Sequence, residues 1–262
     1  MPVDNSNICA VPVIGGVGKR LRPFTIDKPK AMLSIGIEKK PMLEFTIMPW
    51  LKFGIEKYVF CTGYKSGIIE EYFGNGNRFG VKIDYSKEKD NLETGGALKN
   101  AIDNKKITLD QPIIIFYCDD IVRLNVKDII DAHIKGVKEF GFKATVVATN
   151  KFRANYGIMN TENLADGIKK VTSFEEKPLI DKYANVGIYF LEPEVLSLIN
   201  KHRPPFKFES VILPELVKKG WLMLHEISHE DWIPVNTDKD YEIALKTNLT
   251  DFYSKVLKKA TD

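Results

Sequence analysis

The sequence has few cysteines and no long apolar run. Three cysteines, Cys9, Cys61 and Cys118, are scattered over 262 residues, and each lies in or beside an apolar, strand-like segment. An odd, scattered set of this kind predicts buried free thiols and excludes a disulfide scaffold. The longest wholly apolar run, Ile113–Cys118, is much too short to span a membrane.

An excess of charge of one sign is also lacking. The 38 Lys and Arg residues nearly balance the 35 Asp and Glu residues, so the net charge is only +3. Proteins that bind nucleic acid usually carry a clustered basic stripe, which this balance does not indicate. Residues 1–7 contain no basic residue and no apolar segment of the kind that a secretion signal needs. We therefore expect a soluble, cytoplasmic protein that binds neither nucleic acid nor a membrane; a homo-oligomer is compatible with the sequence.

Strand-like and helix-like segments alternate through the first half of the chain, whereas the second half has less helix between its strands. The predicted strands are Ile8–Ile14, Lys57–Cys61, Val81–Tyr85, Pro112–Cys118, Lys143–Thr149, Ile168–Phe174 and Val186–Leu191. The predicted helices are Pro41–Phe53, Ser66–Phe73, one that begins after Gly95–Gly96, and Asn125–Phe140. This alternation predicts a layered α/β fold with a central mixed, mostly parallel sheet flanked by helices. In such folds, ligands bind beyond the carboxyl ends of the strands.

A glycine-rich, basic loop, residues 15–30, follows the first predicted strand. Its glycines let backbone N–H groups approach phosphate oxygens closely, and Lys19, Arg20 and Lys30 could neutralise a polyphosphate there. A dinucleotide-binding loop would need glycine at Leu21, and a Walker A loop would need Ser or Thr at Arg20. Both of those interpretations therefore fail, and the remaining alternative is a surface loop with solvated charges.

The same loop carries the first of six motifs that resemble those of one enzyme family. Residues 15–30 resemble the signature G-G-x-G-T-R-L-x-P-x-T…P-K of the sugar-1-phosphate nucleotidyltransferases. Further segments resemble other motifs of this family in the same order along the chain: Leu92–Ala97, Cys118–Asp120, Phe174–Pro178, Asn185–Tyr189 and Trp232–Asp240. The resemblance implies a Rossmann-like fold. We expect a single domain over residues 1–262, because the hexapeptide repeats of an acyltransferase β-helix are absent from the sequence.

The resemblance also implies the reaction. An oxygen of a sugar 1-phosphate attacks the α-phosphorus of a nucleoside triphosphate, and pyrophosphate leaves. The protein must therefore supply cations and positioning rather than a nucleophile. The sequence accordingly shows no Ser-His-Asp or Cys-His arrangement. The alternative function is that of a non-catalytic relative that binds nucleotide-sugar and regulates a partner.

Roles for individual residues follow from the same resemblance. Arg20 would hold the β- and γ-phosphates, Lys30 the α-phosphate and Lys177 the phosphate of the sugar. Asp120 completes the expected catalytic set. The expected nucleotide-binding residues are Gly15, Gly16, Gly18, Lys19, Glu88, Thr94, Gly95 and Gly96, and the expected sugar-binding residues are Gly157, Glu176 and Asn185.

Asp120 is the main candidate for binding Mg²⁺, the cofactor that the resemblance implies. It closely follows the apolar run Pro112–Cys118, so its carboxylate emerges at the carboxyl end of a strand. Mg²⁺ prefers one or two carboxylates together with phosphates and water. Asp119 is the alternative ligand, but successive strand residues point in opposite directions, and the motif register favours Asp120.

A second metal ligand is expected in the last motif. Many relatives have an aspartate where this chain has Pro234, but Asn236 offers a neutral amide oxygen that suits Mg²⁺. Alternatively, Asn236 only caps a helix that starts near Asp238. Asp238 and Asp240 are the fallback ligands.

Two departures from the family pattern lie in the nucleotide-binding motifs. Lys19 replaces a usual threonine, and Glu93 replaces a usual glycine beside the expected base pocket. Glu93 either contacts hydrogen-bond donors of the base or points to solvent. The motifs leave open whether the nucleoside triphosphate is GTP, UTP, CTP or dTTP. They also leave open whether the sugar is of the glucose, mannose or heptose type.

Overall fold

Strands alternate with helices in the structure, a computed structural model that describes residues 8–257. The strands are β1 (Cys9–Val13), β2 (Ser34–Ile35), β3 (Lys40–Pro41), β4 (Lys57–Thr62), β5 (Lys82–Lys87), β6 (Ile113–Tyr117), β7 (Asp120–Val122), β8 (Ala144–Thr149), β9 (Phe152–Arg153), β10 (Ile158–Asn163), β11 (Lys169–Glu175), β12 (Leu179–Ile180), β13 (Ala184–Leu191), β14 (Leu222–Ile227) and β15 (Trp232–Pro234). The helices are α1 (Met42–Phe53), α2 (Ser66–Phe73), α3 (Glu93–Asp103), α4 (Val126–Phe140), α5 (Pro193–Ile199), α6 (Leu213–Lys218), α7 (Asp238–Lys246) and α8 (Leu249–Leu257).

A seven-stranded sheet lies at the centre, in the order β14-β8-β13-β6-β1-β4-β5. Strand β13 is antiparallel to both of its neighbours, and the other pairs are parallel. The expected layered α/β fold with a mixed, mostly parallel sheet is therefore confirmed. The carboxyl ends of β1, β4, β5 and β6 meet at one edge of this sheet, and that edge carries the candidate site.

Alternating side chains explain why β6 is a continuous apolar run. Ile114 and Phe116 belong to the core on one face of the sheet, and Ile113 and Ile115 belong to the core on the other. Phe116 stacks on Trp50 of α1, with ring centroids 5.5 Å apart. Burial of each such side chain contributes about 1.5–3 kcal/mol, so helix packing on both faces fixes the position of the strand ends.

The helix predicted to begin after Gly95–Gly96 begins earlier, at Glu93, so that prediction is wrong. Both glycines lie in the first turn of α3, where backbone N–H groups have no partner inside a helix. They donate instead to the carbonyl oxygen of Phe206, at 3.0 and 3.1 Å. A Cβ on Gly95 would lie 2.3 Å from the Phe206 ring. The glycine pair therefore marks a close contact of α3 and not its beginning.

The strand predicted at Ile168–Phe174 lies outside the central sheet. It corresponds to β11, which pairs antiparallel with β10 in a two-stranded ribbon. Every residue of both strands is exposed, so their apolar side chains do not contribute to the core. The ribbon ends at Glu175, directly before two of the residues expected to bind the sugar phosphate.

The cysteine prediction is confirmed, since all three cysteines are buried and free. Burial raises the pKa of the Cys9 and Cys118 thiols to about 12, which makes them poor nucleophiles at neutral pH. Within residues 8–257, no helix combines the length and the apolar character needed to cross a membrane.

Candidate active site

A cavity of about 410 Å³ lies at the carboxyl ends of β1 and β6. This is the position at which parallel sheets bind their ligands. The first loop, the segment between β5 and α3, the end of β6 and a segment before α6 form its wall. The lining includes Gly15, Gly16, Gly18, Arg20, Lys30, Glu88, Asn91, Glu93, Thr94, Tyr117, Cys118, Asp119, Lys207 and Glu209.

The glycines of the first loop differ in what lies beside their missing side chains. A Cβ on Gly15 would lie 2.0 Å from Oε1 of Glu88, whereas a Cβ on Gly16 would meet nothing within 4 Å. Gly18 has a φ of +67°, a left-handed conformation that glycine adopts without strain. The Thr25 hydroxyl fixes this turn by donating to the Gly18 carbonyl at 3.0 Å. The backbone at Gly16 is thus open to a ligand, and Gly15 is committed to packing.

Lys30 extends into the cavity wall from a short 3₁₀ turn, Lys30–Met32. Its Nζ donates to the backbone carbonyl of Asp119 at 3.1 Å. Burial lowers the pKa of Lys30, and the nearby Asp119 and Asp120 carboxylates oppose that shift. Lys19, by contrast, is exposed and does not line the cavity. Lys30 is therefore the partly buried cation of this loop.

Asp120 begins β7 and is buried, with 8% of its surface exposed. The indole N–H of Trp232 donates to its Oδ2 at 2.8 Å, and Nδ2 of Asn236 donates to its Oδ1 at 3.2 Å. Burial, followed by the charge of Asp119, raises the pKa of Asp120 to about 7. Asp119, and not Asp120, lines the main cavity, so the two carboxyl groups face different surroundings, as strand alternation predicts.

Asn236 connects Asp120 to the first loop. Nη2 of Arg20 donates to Oδ1 of Asn236 at 2.9 Å, so Arg20, Asn236 and Asp120 form a continuous chain of side chains. The cap of α7 is Thr237, whose side chain accepts from the Asp240 N–H in a reciprocal capping box. The alternative that Asn236 caps this helix is therefore wrong. The Asp240 carboxylate completes this cap by accepting from the Thr237 N–H at 2.8 Å, and it also accepts from the Asn236 N–H at 3.0 Å.

The chemistry of Asp120 and Asn236 fits Mg²⁺. A carboxylate and an amide oxygen are hard donors, which Mg²⁺ takes together with phosphate oxygens and water. Asn236 presents Nδ2 to Asp120 and Oδ1 to Arg20, so a half-turn of its amide would bring its oxygen beside that of Asp120. Residues 8–257 contain no group of three or more His, Cys, Asp or Glu side chains placed to hold a metal. Phosphate oxygens would therefore have to supply the remaining ligands.

Three residues expected to bind the sugar 1-phosphate, Gly157, Glu176 and Lys177, form a separate group at the base of the ribbon. The Lys177 Nζ lies 3.9 Å from Oε1 of Glu176, and both side chains are largely exposed. A Cβ on Gly157 would lie 3.0 Å from Oε2 of Glu176, so these residues are close together. None of them lines the main cavity. Asn185 lies apart from these residues, in β13 of the central sheet, and donates from Nδ2 to the hydroxyl of Tyr189.

The residues of the motif at the start of α3 form hydrogen bonds with other parts of the chain. The Thr94 hydroxyl donates to Oε2 of Glu209 at 2.8 Å and accepts from the Phe208 N–H at 2.9 Å. Thr94 lines the cavity, but Gly95 and Gly96 do not. These residues therefore hold the segment around Phe208 against α3, and this segment completes the cavity wall.

Comparison with known proteins gives the family of the chain. The family model for nucleotidyl transferases matches residues 10–248. The glucose-1-phosphate cytidylyltransferase of Salmonella typhi is 32% identical over 254 residues, which cover 88% of this chain and 92% of that protein. The chain belongs to the sugar-1-phosphate nucleotidyltransferase family.

Other relatives of this nucleotidyltransferase differ in base and sugar. The D-glycero-α-D-manno-heptose 1-phosphate guanylyltransferase of Aneurinibacillus thermoaerophilus is 31% identical, with coverage of 90% of this chain and 96% of its own. The UTP–glucose-1-phosphate uridylyltransferase of Synechocystis is 28% identical, and the chain spans only 62% of its length. HddC of Yersinia pseudotuberculosis, solved with GMP-PN, shares the fold at a TM-score of 0.65 and 23% identity, over 90% of this chain and 97% of its own.

Several cavity residues of this nucleotidyltransferase carry no signal in the sequence. Four residues line the cavity although the motif resemblance assigns them no role: Asn91, Tyr117, Lys207 and Glu209. Glu209 reaches it only because Thr94 and the glycines of α3 hold its segment in place. Such residues could be found only through the packing between distant segments.

Proposed function

We propose that this nucleotidyltransferase transfers a nucleoside monophosphate from a nucleoside triphosphate to a sugar 1-phosphate within the main cavity, with release of pyrophosphate. The observation that carries the proposal is the chain of Arg20, Asn236 and Asp120 beside Lys30, at the edge of a glycine-lined cavity. Both reactants are anions, so positive charge and alignment remove most of the barrier. The relatives are named as enzymes of this kind, which favours catalysis over a purely regulatory role.

In this proposal, Arg20 and Lys30 bind the triphosphate. Lys30 is the more buried of the two and contacts the α-phosphate, where charge accumulates during the reaction. Arg20 is exposed and turns from Asn236 to the β- and γ-phosphates. Its release frees the Asn236 amide to rotate its oxygen toward Asp120.

Asp120 and Asn236 would hold the Mg²⁺ ion. When bound, the ion supplies positive charge to phosphate oxygens. The buried Asp120 carboxyl is oriented by the Trp232 indole, so it presents its other oxygen in a fixed direction. This arrangement suits an ion that demands regular geometry.

Lys177, Glu176, Gly157 and Asn185 would bind the sugar 1-phosphate. Lys177 neutralises the phosphate, and the side chains of Glu176 and Asn185 bond to sugar hydroxyls. The exposure of Lys177 and Glu176 means that these groups are accessible to a substrate from solvent.

A pyrophosphate-release assay tests the proposal. The full chain is incubated with Mg²⁺, each of GTP, UTP, CTP and dTTP, and glucose or mannose 1-phosphate or a heptose 1-phosphate. We expect pyrophosphate and one NDP-sugar in equal amounts, with no covalent intermediate on the protein. Nucleotide binding without pyrophosphate release in any combination would contradict the proposal and favour the regulatory alternative.

A further inference from the structure

Arg20 and Lys30, which line the main cavity, belong to the first loop, whereas Glu88 and Glu93 flank the segment between β5 and α3. Asp119 and Lys207 also line the cavity. Under the proposed function, the phosphates lie beside Arg20 and Lys30, because carboxylates would repel them. The nucleobase is then left with the end at Glu88 and Glu93.

Glu88 offers an acceptor at that end. Its Oε2 accepts from the Leu92 N–H at 3.1 Å, which fixes the carboxyl group. Its Oε1 lies against the glycines that follow β1 and β4, 2.0 and 2.6 Å from where a Cβ on Gly15 or Gly63 would be. Among residues 8–257, no hydrogen bond to this oxygen is formed. The sequence thus keeps two strand ends free of side chains so that one carboxyl group can reach the cavity.

Glu93 is the second acceptor, and its backbone is unusual. It has a φ of +62°, which strains any residue that carries a Cβ and which glycine adopts freely. The Asn91 side chain holds this conformation by accepting from the Glu93 N–H at 3.3 Å, and its Nδ2 donates to Oε1 of Glu93 at 3.5 Å. The family motif has glycine here, so this chain carries a strained side chain at a position that lines the cavity.

The two carboxyl groups are close enough to influence one another. Burial raises the pKa of Glu88, and the charge of Glu93 raises it further. A third carboxylate, Glu209, already accepts from Thr94. Glu88 and Glu93 are therefore the two neighbouring carboxylates at this end of the cavity.

We propose that Glu88 and Glu93 select guanine as the base of the nucleotide. Guanine presents two adjacent donors, N1–H and its exocyclic amine, beside one acceptor, O6. Uracil and thymine present one N–H between two carbonyl oxygens, and these oxygens would face the carboxylates. Cytosine and adenine present one amine beside an unprotonated ring nitrogen. Guanine alone presents two adjacent donor groups to two neighbouring carboxylates, and leaving acceptors of the site unpaired discriminates against the other bases.

The proposal assumes that the nucleotide lies in this cavity, as the proposed function states, but its test needs no catalysis. Equilibrium binding of GDP, UDP, CDP and ADP to the full chain is measured by titration calorimetry. We expect GDP to bind about 10- to 100-fold more tightly than each of the others, the range that good hydrogen-bonded base recognition supplies. Equal binding of the four diphosphates, or tighter binding of UDP, CDP or ADP, would overturn it.

Two variants of Glu93 test whether this residue is responsible for the preference for GDP. Glu93→Gln removes the charge at constant size, and Glu93→Gly also relieves the backbone strain. Both should reduce the preference for GDP over UDP about tenfold, while Glu93→Gly keeps or raises the melting temperature. The surface variant Glu139→Gln, in α4, should change neither quantity. An unchanged GDP preference in both Glu93 variants would overturn the role of Glu93. A chain that prefers GDP yet releases no pyrophosphate would refute the proposed function and leave this inference intact.

Discussion

At the scale of single residues, the candidate site depends on side chains that hold each other in place. Arg20, Asn236 and Asp120 come from distant parts of the sequence and meet in one hydrogen-bonded chain. Motif resemblance predicted each of them, because each lies in a short contiguous pattern. It could not predict the amide orientation of Asn236, since that is set by which neighbour donates and which accepts.

Arg20 and Lys177 should differ in what their loss impairs. Arg20→Ala should mainly reduce use of the triphosphate, and Lys177→Ala mainly use of the sugar phosphate, because the proposed function assigns them to opposite sides of the transferred phosphorus. Each loss should lower the rate about 10²–10³-fold. Initial rates measured against each substrate separately check this difference. Wild-type kinetics in both variants would show that the residues are assigned to the wrong roles.

Asn236→Ala should raise the Mg²⁺ concentration needed for half-maximal activity without unfolding the protein. The side chain is removed from Asp120 and from Arg20, whereas the cap of α7 is kept by Thr237 and Asp240. Mg²⁺ titrations of the rate and thermal melts, with Asn200→Ala as a control from the end of α5, make the comparison. An unchanged Mg²⁺ requirement would remove Asn236 from the metal site.

At the scale of elements, periodic patterns predicted six of the seven strands of the central sheet and helices α1, α2 and α4, but not how distant segments pack. Helix α4 was predicted from Asn125 and begins at Val126, with Asn125 as its cap. Helix α3 begins before its glycine pair, because these glycines contact Phe206, more than a hundred residues away. The sequence predicted β11 as a strand. Its apolar residues are typical of core strands, so the pattern could not show that β11 lies in an exposed ribbon outside the central sheet.

Gly95→Ala tests this contact between elements. The new Cβ would lie 2.3 Å from the Phe206 ring, and overpacking of this kind costs about 1–3 kcal/mol in the free energy of unfolding. Gly67→Ala in α2 is the matched control, because a Cβ there meets nothing within 4 Å. Urea unfolding of both variants compares them. Equal stability of the two would mean that α3 and the Phe206 segment are not packed as described.

At the scale of the whole molecule, the mixed sheet explains why remote motifs form one site. The loops after β1, β4, β5 and β6 leave the same edge, so Gly15, Gly63, Glu88 and Asp119 are neighbours. The alternating pattern of the first half predicted this edge. Gly157, Glu176 and Lys177 were expected to bind the sugar 1-phosphate, and they lie at the base of the ribbon, outside the main cavity, whereas Asn185 lies in β13.

In the proposed function, nucleotidyl transfer depends on the cations at this edge of the sheet. The most direct test is the rate of pyrophosphate release by Lys30→Met, compared with Lys28→Met, which changes an exposed lysine of the same loop. We expect Lys30→Met to be about 10²–10³-fold slower and Lys28→Met to match the wild type, with both variants folded by circular dichroism. A Lys30→Met variant that keeps the wild-type rate would contradict the account.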